Sequence, residues 1–137
     1  IMTAAAGNGL ATTLTGILLY YNQAYLLNSG DSQTHRLRHD NFRQVTKDHS
    51  EHERLQNPSA PSHLMYNCLG IDEAFVDVTP TRIIEGDRYL ICSDGLSDYV
   101  STDINRRDSG SAEKLLQDAL EQDAPDNVTI IIIDVLP

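Results

Sequence analysis

Two aspartates lie next to apolar segments in the C-terminal half of the chain, in positions that suit metal binding. Asp94 follows the predicted strand 88–92 within a Ser-Asp-Gly sequence, and Asp126 precedes the apolar run 128–133. If the two runs are neighbouring antiparallel strands, the end of the first lies beside the start of the second. Both carboxylates then share one sheet edge. Mg²⁺ and Mn²⁺ prefer oxygen ligands, so the spacing predicts a divalent-cation site there.

Each of these aspartates also has a simpler interpretation, and three further aspartates are candidates. Asp94 and Asp126 could only terminate strands and satisfy turns. Asp48 follows a short predicted strand, so it is a third candidate metal ligand; the alternative is an exposed loop carboxylate. Asp31 is predicted to be structural, because its side chain suits a Gly-Asp-Ser turn. Asp98 is predicted to begin the next helix as an N-cap.

The five histidines are not predicted to bind metal. His49, His52 and His63 lie in a polar segment without zinc-ligand spacing and without a nearby cysteine, so we expect a solvated loop. His35 and His39 share one face of a predicted strand, where we expect surface side chains.

Several short segments, in a consistent order along the chain, resemble motifs of the metal-dependent Ser/Thr protein phosphatases (type 2C, PPM). The segments are Thr-Thr-Leu-Thr-Gly at 12–16, Asn-Ser-Gly-Asp-Ser at 28–32, Val-Thr-Lys-Asp-His-Ser at 45–50, Cys-Leu-Gly at 68–70, Ser-Asp-Gly at 93–95 and Asp-Asn-Val-Thr at 126–129. Each alone is ordinary turn chemistry, whereas together they are specific. The match is to the C-terminal portion of the catalytic domain.

The resemblance implies a fold and an activity. The fold is α+β: stacked antiparallel sheets flanked by helices, as an α-β-β-α sandwich. The activity is hydrolysis of phosphoserine and phosphothreonine in proteins by a metal-activated water, with a binuclear Mn²⁺ or Mg²⁺ centre. Asp94 and Asp126 match the family's metal ligands, and Asp48 matches a residue that helps to bind a third, weaker metal. Phosphorylated proteins are the implied substrates, and a Ser/Thr kinase is the implied partner.

The chain also departs from the family pattern. The family's phosphate-binding Arg, an early acidic ligand and an Asp-Gly pair near the proton donor have no counterpart ahead of Thr12. We therefore expect residues 1–137 to form a single partial domain, truncated at the N-terminus, inactive alone and without a catalytic residue of its own. The alternatives are a catalytically inactive relative that binds phosphoproteins or a kinase, and a small domain with one structural cation. Gln33 stands where the family usually has Arg.

Composition excludes some functions. The net charge of −10 argues against nucleic acid and anionic membranes, which bind basic surfaces. No apolar run is long enough to predict a membrane-spanning helix. Cys68 and Cys92 lie in apolar segments, which favours buried thiols in a reduced, cytoplasmic protein.

The residue pattern predicts short antiparallel strands and one clear helix. Strands are expected at 12–21, 24–27, 34–38, 42–46, 74–78, 82–84, 88–92 and 127–136. Residues 47–65 are expected to be irregular, with at most one helical turn. Ser111 is predicted to cap a helix with an apolar stripe at Leu115 and Ala119, and a short helix is expected at 98–106. Four consecutive isoleucines predict a last strand that is covered on both faces.

Overall fold

A computed structural model describes residues 10–57, 59, 64–99 and 111–137 of the chain. His63 and most of the helix expected at 98–106 lie outside these residues. The described elements are β1 (Leu14–Tyr20), β2 (Gln23–Ser29), β3 (Gln33–Arg38), β4 (Asn41–Gln44), α1 (Glu51–Leu55), β5 (Asp77–Arg82), β6 (Arg88–Cys92), α2 (Asp94–Ser97), α3 (Ala112–Glu121) and β7 (Ile130–Asp134). None of these helices is long and apolar enough to cross a membrane.

The strands form two antiparallel sheets. The first sheet has the order β1-β2-β5, and the second has the order β4-β3-β6-β7. Short turns join β1 to β2 and β3 to β4, as expected where tight turns separate short strands. The α+β class predicted from the sequence is confirmed.

An apolar core lies between the second sheet and the helices. It contains Leu90 and Cys92 of β6, Leu96 of α2, and Leu115 and Ala119 of α3. Side chains alternate between the two faces of a strand, so Leu90 and Cys92 point to the helices while Tyr89 and Ile91 point the other way. The cap of α3 is as predicted, because the Ser111 hydroxyl accepts a hydrogen bond from the Lys114 N–H.

The contact between the two sheets includes hydroxyl pairs and a buried guanidinium. Thr15 of β1 faces Thr34 of β3, with 3.0 Å between their Oγ1 atoms. Thr13 and Ser32 form a similar pair at 2.8 Å. The buried Arg36 donates from Nη1 to Thr81 Oγ1 of β5. Polar side chains therefore link the sheets, while apolar side chains link the second sheet to its helices.

Two strand predictions are wrong. Residues 77–82 form one strand, where the sequence predicted two strands at 74–78 and 82–84. Pro80 lies inside this strand, but β5 pairs only with β2 among the described strands, and an edge strand tolerates a residue without an N–H. The last strand is not covered on both faces: Ile130 and Ile132 contact the helical core, while Ile131 is half exposed.

The residues after β6 also differ from the prediction. The Ser-Asp-Gly sequence was expected to be a simple turn, yet Asp94 begins the short helix α2 with Ser93 at its N-cap. Asp98 does not have the extended backbone of an N-cap, and the helix that it was predicted to begin lies mostly outside the described residues. The Asp98 backbone is right-handed helical (φ −80°, ψ −22°), and its N–H donates to the Asp94 carbonyl, so Asp98 ends α2.

Candidate metal site

Three chain segments with aspartates meet at one edge of the second sheet. In the pairing of β3 with β6, Gln33 lies opposite Cys92, and in the pairing of β6 with β7, Cys92 lies opposite Ile130. The start of β3, the end of β6 and the start of β7 are therefore at the same edge. Asp31 and Asp94 each lie two positions beyond the Gln33–Cys92 pair, and Asp126 lies in the loop that leads into β7.

The start of α2 is in direct contact with the Asp126 loop. Gly95 approaches Asn127 so closely that a Cβ atom on Gly95 would lie 2.5 Å from the Asn127 carbonyl oxygen. Asp94 Oδ1 accepts a hydrogen bond from the Gly95 N–H at 2.9 Å, and Asp126 Oδ1 accepts one from the Asn127 N–H at 2.6 Å. Each carboxylate is thus oriented by the backbone that follows it, and the glycine permits the two segments to touch.

Ser93 holds these two segments together. Its Oγ donates to the Asn127 carbonyl at 3.1 Å and accepts from the Thr129 N–H at 3.0 Å. Its own N–H donates to the Thr129 carbonyl. The Ser93 side chain therefore fixes the spacing between Asp94 and Asp126 without itself being a candidate ligand.

The carboxylates at this edge are close enough to affect one another's ionisation. Burial raises the pKa of Asp31 above its usual value, and the negative charges of Asp94, Asp98 and Asp126 raise it further. Partial loss of surrounding water and the charge of Asp94 also raise the pKa of Asp98. Mutual repulsion of this kind is relieved by a bound cation. Asp31, which the sequence suggested to be a turn residue, lies within this acidic edge.

Asp48 lies behind Asp31 in a different environment. Gln33 Nε2 donates to its Oδ2 at 2.7 Å, and Gln44 Nε2 donates to its Oδ1 at 2.6 Å. Burial raises the pKa of Asp48 to about 6, and the charge of Asp31 contributes to this rise. Both oxygens of this candidate ligand therefore accept an amide hydrogen bond.

His35 is buried, so the expectation of a surface side chain is wrong for this residue. Its ring stacks on Phe42 with 5.1 Å between centroids, and its Nε2 lies 2.9 Å from Gln33 Oε1. Burial lowers the pKa of His35 to about 4, so the ring is neutral near pH 7. Gln33 uses its amide nitrogen on Asp48, so its Oε1 accepts and His35 Nε2 carries the proton. His39 is exposed, as expected.

His49 is also buried, with 1% of its surface exposed, so the expectation of a solvated loop is wrong for it. Its side chain lies between the Gly30 backbone, Asn67 and Asp77. Sequence spacing gave no signal for this position, because the partners come from three separate segments. His52 is partly exposed on α1.

The described residues supply donors for a metal ion but not a finished site. No three His, Cys, Asp or Glu side chains among them are arranged to hold a metal ion by themselves. Carboxylate oxygens are the donors that Mg²⁺ and Mn²⁺ select, and Mg²⁺ keeps several waters in most protein sites. The donor chemistry fits a hard divalent cation whose remaining ligands come from water or from other residues. Both cysteines are buried thiols, and burial raises the pKa of Cys92 to about 12.

No family model matches the chain, but comparison with known proteins finds similar phosphatases. The Ser/Thr protein phosphatase PstP of Mycobacterium tuberculosis is 36% identical over 144 residues, covering 93% of this chain and 28% of that protein. The Ser/Thr phosphatase stp of Listeria innocua is 29% identical over 93% of this chain and 58% of that protein.

Solved structures give the same result. The catalytic domain of PstP in complex with two manganese ions superposes with a TM-score of 0.82 at 36% identity, covering 93% of this chain and 60% of that one. PppA of Pseudomonas aeruginosa superposes with a TM-score of 0.84 at 26% identity, over 59% of its own chain. This chain thus spans less than two thirds of the length of these relatives. By sequence and by fold, it is related to the metal-dependent Ser/Thr protein phosphatases (type 2C, PPM) and corresponds to the C-terminal portion of their catalytic domain.

Proposed function

We propose that the protein containing this chain is a metal-dependent phosphatase that hydrolyses phosphoserine and phosphothreonine in proteins. The observation that carries the proposal is the acidic edge, where the strand register brings Asp31, Asp94 and Asp126 to the ends of three adjacent strands. The relatives named Ser/Thr phosphatases, one of them solved with two manganese ions, support the reaction class and the metal.

Asp94 and Asp126 are our candidates for the ligands of a binuclear Mn²⁺ or Mg²⁺ centre, with Asp31 beside them. When bound, such a pair neutralises charge on the phosphoryl oxygens and lowers the pKa of a coordinated water. The Gly95 and Asn127 N–H groups each hold one oxygen of the neighbouring carboxylate, which fixes the orientation of the group that would bind the cation. The residues of this chain therefore orient the acidic groups before any metal binds.

Asp48 is our candidate for a third, weaker metal site. Gln33 and Gln44 each donate to one of its oxygens, and each oxygen keeps a second lone pair that could face a metal ion. A metal ion at Asp48 would therefore share these oxygens with two amide donors. The two amides belong to Gln33 of β3 and Gln44 of β4, so metal binding at Asp48 would also affect the hydrogen bonds of these two strands.

The remaining parts of the reaction are proposed to come from the rest of the protein. Residues 1–11 contain no arginine, histidine or acidic residue that could match the family's early motifs. We therefore place the phosphate-binding Arg and the proton donor outside this chain, and we expect the chain alone to be inactive. Phosphoprotein substrates, a partner Ser/Thr kinase and a cytoplasmic location complete the proposal.

One alternative is a catalytically inactive domain that binds phosphoproteins or a kinase. The observation that favours it is that the described residues contain no complete group of three metal ligands. An experiment on the full-length protein must therefore distinguish metal ions that support turnover from a bound cation that is only structural.

The test uses Asp94→Asn and Asp126→Asn in the full-length protein. Each change removes one charge from a site that holds cations, so we expect loss of most Mn²⁺-dependent hydrolysis of p-nitrophenyl phosphate and of a phosphothreonine peptide. Asp123→Asn is the matched control, because Asp123 is exposed and Asn tolerates its left-handed backbone (φ 52°). Calorimetric titration with Mn²⁺ and circular dichroism separate loss of metal from loss of fold.

The outcomes are distinct. Wild-type turnover in both variants would refute the assignment of Asp94 and Asp126. A wild-type protein that binds one Mn²⁺ ion and hydrolyses neither substrate would instead support the other alternative, a small domain with one structural cation. Activity of the isolated 137-residue chain would contradict the placement of the proton donor and phosphate-binding Arg outside it.

A further inference from the structure

His49 forms hydrogen bonds with both backbone groups of Gly30, the residue directly before Asp31. The His49 N–H donates to the Gly30 carbonyl at 2.9 Å, and the Gly30 N–H donates back to His49 Nδ1 at 3.2 Å. Asn28 Nδ2 also donates to the Gly30 carbonyl, at 3.1 Å. Gly30 has a φ of 110°, which glycine adopts readily. The hydrogen bonds keep this otherwise flexible residue in one conformation directly before Asp31.

The His49 ring is itself fixed by two more contacts. Asn67 Nδ2 lies 2.7 Å from Nδ1, and Asp77 Oδ2 lies 3.1 Å from Nε2. Phe75 and Tyr66 pack beside the ring, at centroid distances of 5.0 and 5.5 Å. The ring is 1% exposed, so water does not compete for either nitrogen.

These contacts determine the tautomer of His49. The Phe75 N–H donates to Asn67 Oδ1, which identifies the other side-chain atom, Nδ2, as the donor towards His49. His49 Nδ1 therefore receives hydrogen bonds from both Asn67 and Gly30 and carries no proton. In the neutral ring the proton is then on Nε2, which donates to the Asp77 carboxylate.

We propose that His49 is a positioning residue of the metal centre, which acts through Gly30 to keep Asp31 at the edge shared with Asp94 and Asp126. The inference rests on the proposed function, because it concerns the same metal site. His49 touches neither the carboxylates nor a substrate. Its effect is indirect: without the acceptor at Nδ1, the Gly30 peptide can turn, and Asp31 turns with it.

Two variants separate this role from general packing. In His49→Asn, the shorter side chain places Oδ1 near the position of Nδ1 and keeps an acceptor for the Gly30 N–H. In His49→Gln, the amide reaches the position of Nε2 and keeps the donor to Asp77, but no acceptor remains beside Gly30. Both variants lose the aromatic ring and keep a side-chain amide, and they differ by one methylene and in the position of that amide.

In the full-length protein we expect His49→Gln to weaken Mn²⁺ binding about 10- to 100-fold, the usual effect of disturbing groups behind a metal ligand. His49→Asn should bind Mn²⁺ close to the wild-type affinity, although both variants melt at a lower temperature than the wild type. Equal Mn²⁺ affinity in the two variants, whether retained or lost, would overturn the proposal, because a merely structural histidine predicts no difference between them.

A metal-free measurement makes this test independent of the phosphatase proposal. Amide hydrogen exchange at Gly30 should be slow in the wild type and in His49→Asn, and fast in His49→Gln. Slow exchange in all three proteins would overturn the proposed role of His49 in holding Gly30, even if the enzyme proves active. Slow exchange in the wild type with no Mn²⁺ binding would overturn the role at a metal centre together with the proposed function.

The wild-type protein offers a second test in case His49→Gln does not fold. Nitrogen–proton correlation NMR of the histidine rings distinguishes a protonated Nε2 from a protonated Nδ1. A proton on His49 Nε2, coupled to a bare Nδ1 that accepts a hydrogen bond, is the expected result. A proton on Nδ1 is incompatible with the Gly30 N–H donating to that atom and would overturn the proposal.

Discussion

Gln33 connects the buried His35 and the half-buried Asp48 near the acidic edge. Its amide oxygen accepts a hydrogen bond from His35, and its amide nitrogen donates to Asp48. A neutral glutamine compensates no charge, unlike the arginine that the family usually has at this position. Burial shifts both groups towards their uncharged forms, because it lowers the pKa of His35 to about 4 and raises the pKa of Asp48 to about 6. The hydrogen bond from Gln33 only partly opposes the shift at Asp48.

In the metal-free protein these two pKa shifts should change the free energy of unfolding with pH in opposite directions. The pKa of His35 is about 4 instead of 6.5, so between these values the unfolded chain binds more protons. Its stabilising contribution is complete above pH 6.5 and is lost as the pH falls towards 4. The pKa of Asp48 is about 6 instead of 3.8, so its contribution is complete below pH 3.8 and is lost as the pH rises through 6. The two effects offset each other between about pH 4 and pH 6.

His35→Gln should remove the pH-dependent contribution of His35 to the free energy of unfolding while keeping a hydrogen-bond donor for Gln33. We expect the destabilisation caused by His35→Gln to be about 3 kcal/mol larger at pH 7 than at pH 4, since each unit of pKa shift corresponds to about 1.4 kcal/mol. Urea denaturation in the presence of a chelator measures it, and His39→Gln controls for loss of an exposed imidazole. The same destabilisation at both pH values would show that His35 is not held neutral by the fold.

At the scale of elements, the short helix α2 connects the two halves of the candidate site. Ser93, at its N-cap, does not bond to the helix through its side chain. Instead its hydroxyl bonds to the backbone of the loop before β7, at Asn127 and Thr129. These contacts explain why a helix of only four residues is stable here. It is held by the segment that leads into β7 and by the burial of Leu96 in the core.

Ser93→Ala and Ser97→Ala form a matched pair within this helix. Ser93→Ala removes two hydrogen bonds in an exposed region, where water can take the place of the hydroxyl, so we expect a loss of about 1 kcal/mol in the free energy of unfolding. The buried Ser97 Oγ has no hydrogen-bond partner among the described residues, so Ser97→Ala should be neutral or slightly stabilising. Chemical denaturation compares them; equal losses would contradict the proposed link between α2 and the Asp126 loop.

Much of the architecture follows from local pattern, because β6 and β7 are short apolar runs and α3 has an apolar stripe at helical spacing. The strand β5 was harder, since Pro80 is compatible with a strand only at an edge, and strand order is not written in the local sequence. The helix α2 was missed because its four residues gain their stability from contacts with distant residues rather than from propensity.

The same distinction explains the site. The proximity of Asp94 and Asp126 was predictable, because each lies next to an apolar strand and the two strands pair. The position of Asp31 beside them depends on the register of β3 against β6, and that of His49 depends on Asn67 and Asp77. Such contacts join segments far apart in the chain, and neither composition nor periodicity encodes them.

At the scale of the whole molecule, the second sheet has two different faces. One face packs on α2 and α3 through apolar side chains, while the other meets the first sheet partly through Thr15, Thr34 and Arg36. Apolar contacts tolerate small shifts, whereas paired hydroxyls fix one relative position. The sheet contact therefore favours a defined alignment of the two sheets, with some loss of apolar burial.

The Thr15–Thr34 pair permits a direct test of this alignment by a double-mutant cycle. Thr34 is fully buried, and its hydroxyl bonds to Thr15 across the sheet contact at 3.0 Å. Thr15→Val or Thr34→Val alone leaves one hydroxyl without its partner and should cost about 1–3 kcal/mol, whereas the double variant removes both and should be nearly neutral. The two single losses should then exceed the loss in the double variant, as measured by urea denaturation. Additive losses would show that the hydroxyls contribute separately, and the alignment of the sheets would have to come from the apolar contacts alone.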